Sequence, residues 1–262
     1  MLSSTRNPRV RDLATLARRR VRRERGQHLV EGPRAVAEAL DAGVVEELFI
    51  DPDAGVELVV PATVTVTEVA AHVLERLADT TAPQGVVALV RTPQSDLTAT
   101  VAGGRTVVLH ALADPGNAGT ILRTADAAGA TGVVLTAGSV DPFGPKALRA
   151  AAGSTYHLPI TTEVDLAAAI AACRDAGQRV LGLDADARDT VDDLDATTPT
   201  ALVLGNEAHG LDPAALAGLD GAVAVPIHGR AESLNVAAAA AVALYALARG
   251  RDTGAAAPPS RP

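Results

Sequence analysis

Three stretches of this chain put polar side chains and glycines where an apolar run gives way to a helical one. In LADPGNAGTILRTADAAGA (Leu112–Ala130) a strand runs into Asp-Pro-Gly-Asn; Asn117 can cap the helix that follows, and Arg123 falls on it. In LVLGNEAHGL (Leu202–Leu211) a buried strand stops at Gly205, and Glu207 and Gly210 follow. In VPIHGRAESLNVA (Val225–Ala237) Pro226 ends a strand, Gly229 permits a sharp loop, and Ser233 and Asn235 fall in the first turn of an Ala-rich helix. Glycine lets backbone approach a ligand closely. Free N–H groups at a helix start favour a carboxylate or phosphate. Each stretch also has a plain reading: a turn with a cap and a surface Arg, an exposed Glu, and a helix capped by Glu232 or Ser233.

The elements that must position these residues alternate. Asn7–Gly26 reads as one helix, capped by Asn7, opened by Pro8 and ended by Gly26, with Val10, Leu13, Leu16, Ala17 and Val21 at helical spacing. HLVEG, VEELFID and GVVALVR read as strands, VELVV or TVTV as another, and PRAVAEALDAG and TEVAAHVLERLAD as helices. This gives an N-terminal α/β part over 1–91, and the breaker-rich stretch 92–104 reads as a linker. Over 105–251 a second alternation begins, with strands RTVVLHAL, GVVLT, HLPI, RVLGLDA, TALVLGNE and AVAVPI separated by helical stretches. Val- and Leu-rich strands between helices predict a mostly parallel sheet covered on both faces. In such sheets ligands bind outside the carboxyl ends of the strands, which is where all three polar stretches lie. Residues 252–262 read as a disordered tail.

Composition narrows the chemistry. No apolar run reaches the roughly 18–20 residues that span a bilayer, and the N-terminus lacks a signal-peptide core, so the chain reads as cytoplasmic. Cys173 is the single cysteine, which excludes an intrachain disulfide or a thiolate metal cage, and the six histidines show no ligand spacing. The net charge is −8. Yet residues 1–34 hold ten arginines against Asp12, Glu24 and Glu31, about +7 by count, leaving about −15 for the rest. A basic arm on an acidic body points to a polyanion, with Arg9, Arg18, Arg19, Arg22, Arg23 and Arg34 as candidate contacts. Phe49, Phe143, Tyr156 and Tyr245 are the only aromatics, so stacking of many bases on rings is not expected.

Taken together and in order, the three stretches resemble the motifs of the SpoU (TrmH-like) family of RNA ribose 2′-O-methyltransferases. The first is carried by Asn117, Gly119 and Arg123; the second by Gly205, Glu207, Gly210 and Leu211. The third is carried by Val225, Pro226, Ile227, Gly229, Ser233, Leu234, Asn235 and Val236. Val225 and Ile227 stand where Ile and Met are usual, and Ala237 replaces a common Ser. The match covers roughly 105–250, and HLVEGPRAVAEAL is similar to the small ribosomal-protein-like substrate-binding domain that many members carry.

The resemblance implies a C-terminal α/β domain with a deep trefoil knot, a homodimer, and S-adenosylmethionine as cofactor. That cofactor would lie among Leu204, Gly205, Gly210, Val225, Ile227 and Leu234, with Thr136 at a neighbouring strand end. The reaction needs no metal. The family assigns activation of the ribose hydroxyl to Arg123; a phosphate-holding or alkoxide-stabilising role is the alternative, because arginine is normally always protonated. Asn117, Glu207, Ser233 and Asn235 would orient Arg123 and the ribose. Large-subunit ribosomal RNA is the expected substrate, with transfer RNA and a non-catalytic RNA-binding protein as alternatives. A Rossmann-type oxidoreductase would need G-x-G-x-x-G and an acidic residue after the second strand of the domain, and GVVLTAGS supplies no acid there.

Overall fold

The computed structural model describes residues 1–249; the tail expected over 252–262 lies outside the described residues. In chain order its first elements are α1 (Pro8–Leu13), α2 (Arg19–Arg25), β1 (Gln27–Glu31), α3 (Pro33–Asp41), β2 (Val45–Ile50), β3 (Thr65–Glu68), α4 (Ala71–Leu77), β4 (Val86–Arg91), α5 (Leu97–Val101) and β5 (Arg105–Leu109). Then follow α6 (Pro115–Ala127), β6 (Gly132–Thr136), α7 (Pro145–Ala151), β7 (Ile160–Val164), α8 (Leu166–Asp175), β8 (Arg179–Leu183), β9 (Asp189–Thr190), β10 (Thr200–Leu204), α9 (Pro213–Ala217), β11 (Gly221–Ala224) and α10 (Val236–Ala248).

The chain forms two compact units. The first comprises Met1–Ser95 together with Asp114–Arg123 and Val140–Ile160. Its sheet has the order β1-β4-β2-β3, with β4 antiparallel to both neighbours and β2 parallel to β3. The central strand β4 is apolar and buried along Val86–Val90, as a strand covered on both faces must be. Val10, Leu13, Leu16, Val73 and Leu74 pack on one side of this sheet, and Val36, Ala39 and Leu40 join a second core cluster.

The single helix expected over Asn7–Gly26 is broken. Asn7 does cap α1, accepting from the Arg9 N–H at 2.8 Å. The chain then tightens into a 3-10 turn over Ala14–Ala17 and is extended at Arg18 (φ −89°, ψ 124°). The break is held by Arg22, whose Nη1 donates to the carbonyls of Leu16 and Ala17, both at 2.8 Å. Those acceptors are the ones a continuous helix would have used internally.

The second unit comprises Asp96–Ala113, Thr124–Ser139 and the chain from Thr161 onward. Its sheet runs β7-β6-β5-β10-β8-β11-β9. Every pairing from β6 through β5, β10, β8 and β11 to β9 is parallel. The two-residue β9 was not anticipated, because Asp189–Thr190 carries no apolar run. The strand read at HLPI instead begins at Ile160 and continues to Val164. The stretch read as a linker holds α5, with Thr100 and Val101 buried. The buried Gln178 side chain fixes that helix to β5, donating to Val101 O at 2.5 Å and accepting from the Thr106 N–H at 3.2 Å. Cys173 is buried in the same core, and burial pushes its thiol up to about 11. Among the described residues no helix is long and apolar enough to cross a membrane, and no cluster of metal-ligating side chains occurs.

Candidate functional site

The sheet of the second unit reverses its order at β5/β10. From β5 the chain steps to β6 and β7, and β10 then inserts between β5 and β8. The carboxyl ends of β5 and β10 lie side by side, with Leu109 opposite Leu204. A switch point of this kind leaves a crevice for a ligand.

The loop leaving β5 is strained and tied down. Ala111 has φ 51°, a left-handed conformation that costs a residue with a Cβ about 1–2 kcal/mol. Its N–H donates to Thr136 Oγ1 at 3.2 Å, and its carbonyl accepts from Asn206 Nδ2 at 2.9 Å. Two residues on, the Ala113 N–H donates to Glu207 Oε2 at 2.9 Å. Glu207 thus holds the backbone that leads into α6. Thr136 is 2% exposed, and its hydroxyl also contacts His110 Nδ1 at 3.1 Å. Its side chain is therefore spent on shaping the loop.

The second stretch explains its own glycines. Asn206 and Gly210 exchange backbone hydrogen bonds of 3.0 and 2.8 Å, closing the loop on itself. A Cβ on Gly205 would sit 2.2 Å from the Gly210 carbonyl carbon, and Gly210 has φ +64°. Both positions therefore serve the turn itself, and Glu207 is left exposed at its tip. Leu211 is buried and sits over β8, where a Cβ on Gly182 would meet its Cδ1 at 2.8 Å.

The third stretch is open. Ile227 and Leu234 are 38% and 41% exposed, and Gly229 has no atom near its Cβ direction. Residues 227–234 make no hydrogen bond among the described residues. The helix begins later than expected. Asn235 is its cap, accepting from the Ala237 N–H at 2.9 Å and the Ala238 N–H at 3.4 Å. Ser233 therefore lies in the loop before α10, and neither it nor Glu232 caps the helix. Uncovered apolar side chains beside free backbone amides fit a ligand with an apolar, hydrogen-bonding heterocycle.

The first stretch lies in the first unit, on α6. Asp114 caps this helix, accepting from the Asn117 N–H at 2.9 Å, so Asn117 lies within the first turn and is not the cap. The other carboxylate oxygen takes Lys146 Nζ at 2.7 Å. These two contacts, Lys146 foremost, hold the Asp114 carboxyl below the usual carboxylate range. The motif glycine is forced by packing: a Cβ on Gly119 would meet Ala147 O at 2.2 Å and Ala150 Cβ at 2.7 Å. α7 thus lies directly against α6. Arg123, on the same helix, is exposed and makes no hydrogen bond or ion pair among the described residues.

Of the six arginines assigned to RNA, one is misassigned. Arg22 is 7% exposed, and its Nε and Nη2 donate to Asp141 Oδ2 at 2.9 and 2.6 Å. A guanidinium this buried and fully bonded is structural. Arg9 pairs with Glu47 at 2.6 Å while staying exposed, and Arg18, Arg19, Arg23 and Arg34 are exposed.

Sequence reasoning passed over Asp114, Lys146 and Asn206. Lys146 carried a signal, being the one lysine among 23 basic residues. Asn206 lay inside the quoted LGNE, but nothing in the sequence says that its amide reaches Ala111.

Both parts of the chain are similar to known proteins. The SpoU rRNA Methylase family matches residues 104–245, and the MRM3-like substrate binding domain matches residues 7–88. A Bacillus subtilis relative, 23S rRNA (guanosine(2553)-2′-O)-methyltransferase RlmP, is 32% identical over 94% of this chain and 98% of its own. A Streptomyces viridochromogenes relative, 23S rRNA (uridine(2479)-2′-O)-methyltransferase, is 34% identical over 92% of this chain and 89% of its own. Among solved structures, the SpoU methyltransferase AviRb from Streptomyces viridochromogenes in complex with AdoMet superposes with a TM-score of 0.83 at 31% identity, over 95% of this chain and all of that one. The AdoMet-bound rRNA methyltransferase from Sinorhizobium meliloti gives 0.83 at 31% identity, over 95% and 97%. With a family model over 104–245 and relatives that match along almost its whole length, the chain belongs to the SpoU rRNA methylase family.

Proposed function

We propose that this protein transfers the methyl group of S-adenosylmethionine to a ribose 2′-hydroxyl of large-subunit ribosomal RNA, as a cytoplasmic homodimer. The observation that carries this reading is the set of three motif loops, each following a carboxyl end of parallel β5, β10 or β11, with the second closed on itself and the third open. The residues fit the cofactor: Leu204 and Gly205 are buried at a strand end, and Ile227 and Leu234 offer uncovered apolar walls. When bound, the cofactor supplies an electrophilic methyl group and a neutral thioether leaving group.

The chain's own residues prepare the hydroxyl. An arginine stays protonated in proteins, so Arg123 stabilises the alkoxide that develops as the 2′-oxygen proton departs to solvent. Asn117, two turns earlier on α6, and Glu207, through the Ala113 N–H, hold the first motif in place for it. Ser233 and Asn235 present polar groups from the open loop and the head of α10. The ribosomal substrate is supported by the N-terminal substrate-binding match and by the names of the two relatives. The dimer is supported by α10, which leaves Val242 41% and Tyr245 54% exposed on one apolar face. The family's knot would involve the chain after Leu204.

The test is transfer of tritiated methyl from S-adenosylmethionine into fractionated RNA. Label should enter large-subunit ribosomal RNA, and Arg123→Ala should abolish transfer while cofactor affinity stays nearly intact. Loss of both together would make Arg123 structural. Label confined to transfer RNA would refute the ribosomal assignment. A cofactor-binding wild type that labels no RNA would make the protein non-catalytic.

A further inference from the structure

The first unit contains a cleft of about 410 Å³, walled by Arg34, Ala35, Gln84, Leu148, Arg149 and Ala152 among others. Small-ligand sites span roughly 300–1,000 Å³, so the cleft is large enough for one nucleotide and too small for a duplex. Its chemistry is divided. Ala35, Leu148 and Ala152 give an apolar wall. Arg149 is fixed along one edge: its Nη1 donates to Glu31 Oε1 at 3.2 Å and to Asp79 Oδ2 at 2.7 Å. Glu31 is itself fixed by the Asp79 N–H at 3.2 Å and the Thr80 hydroxyl at 3.1 Å. Two carboxylates offset the charge of Arg149, yet the side chain remains 37% exposed. What it offers is a rigid planar face and no net attraction for anions. Arg34 differs, being exposed and without a partner among the described residues. The Gln84 carboxamide is also exposed and unpaired there.

A base needs a flat partner, and the Phe and Tyr rings of this unit cannot supply one. Phe49 and Phe143 are 0% and 7% exposed. Tyr156 is stacked on His28 with an interplanar angle of 8° and bonded to it at 2.9 Å. Arginine planes serve the same purpose where RNA bases are splayed out.

We propose that this cleft holds one unpaired nucleotide of the RNA substrate. Its base stacks on the Arg149 guanidinium against the apolar wall, its edge meets the Gln84 carboxamide, and its phosphate pairs with Arg34. This rests on the reading of the chain as an RNA methyltransferase, and it locates a contact that admits only single-stranded RNA.

The test is direct binding without cofactor, using a fluorescent mixed-sequence single-stranded RNA and a blunt duplex of roughly 16 base pairs. Arg149→Lys keeps the charge and loses the plane. It should weaken single-strand binding about tenfold, the scale of one lost stacking contact, and leave duplex binding unchanged. Arg34→Ala should lower the slope of log affinity against log salt by about 0.7, the value for one phosphate contact on a single strand. Equal weakening on both RNAs, or none on either, overturns the proposal. A 4-thiouridine cross-link from the single strand on the wild-type protein provides a check independent of variant folding. Attachment within residues 31–35 or 148–152 supports the cleft, and attachment only elsewhere overturns it. Methyl transfer is scored separately, so loss of selectivity in these binding assays refutes the cleft without touching the enzymatic reading.

Discussion

His28 makes the stability of the first unit sensitive to acid in a calculable way. The ring is fully buried, with Nδ1 3.0 Å from Thr92 Oγ1 and Nε2 2.9 Å from the Tyr156 hydroxyl. It lies against Phe143 at a centroid distance of 5.4 Å. Burial first, and the nearby charge of Arg22 second, push its pKa from 6.5 down to about 3. The folded value lies below the unfolded one, so between them the unfolded chain binds the extra proton. The stabilisation is therefore complete above pH 6.5 and is lost as pH falls towards 3. At pH 4.5 the unfolded state is favoured by about two pH units at about 1.36 kcal/mol each. Subtracting the small fraction already lost at neutrality leaves about 2.5 kcal/mol between pH 7 and pH 4.5.

Urea denaturation of wild type and His28→Gln at both pH values isolates this amount. The glutamine variant should be less stable at pH 7, since it fills the site poorly, but it should lose about 2.5 kcal/mol less on acidification. Carboxylates titrate in both proteins and cancel in the difference. Parallel losses would refute the reasoning and place the ring in contact with water. The contact also reaches the site. Phe143 and Tyr156 flank α7, and α7 carries both Lys146 and the Ala147 carbonyl against which α6 is seated. Acid release of His28 should therefore loosen the helix that bears Arg123.

Two further substitutions test the motif geometry. Gly119→Ala puts a methyl group where Ala147 O lies 2.2 Å away, so α6 and α7 must part at a cost of about 1–3 kcal/mol; a melting temperature that does not fall by several degrees would refute the packing. Glu207→Ala removes the acceptor of the Ala113 N–H, an exposed contact that water can replace, so its loss costs about 0.5–1.5 kcal/mol. Methyl transfer should drop about two- to tenfold with cofactor affinity retained, and Glu207→Gln, which can still accept, should recover most of it. A glutamine variant as inactive as the alanine would mean that the charge of Glu207 acts on the substrate itself.

Much of the architecture is legible from local rules because periodicity and breakers report local structure. The strands β5, β6, β8 and β10 stand out as Val- and Leu-rich runs, and Asn7, Pro8 and Gly26 mark real helix ends even though the helix between them is broken. The break itself is a tertiary event. Nothing in LARRRVRRERG says that one of its arginines turns inward, because Asp141, the residue that receives Arg22, is 119 positions away. The same limit explains α5. TPQSDLTATV reads as breaker-rich, and its helix persists because Gln178 and the packing of Thr100 against Gly132 hold it there.

The glycines show most clearly what a motif can and cannot disclose. In sequence, Gly119, Gly205 and Gly210 suggest backbone making room for a ligand. In the fold, Gly119 makes room for α7, Gly205 makes room for the backbone of Gly210, and Gly210 turns the chain through φ +64°. Each sits one step behind the chemistry. Asp114 and Lys146 have the same character, since they act on the helix that bears Asn117 and Arg123. The residues that remain uncommitted, Arg123, Ser233, Ile227 and Leu234, are exposed and bear none of this packing load. The motif is thus a composite of two requirements. The fixed residues hold a strained loop, a closed turn and two helices in contact, and the exposed ones are left free to meet cofactor and RNA. Substituting the first group should damage stability and activity together, whereas substituting the second should damage activity alone.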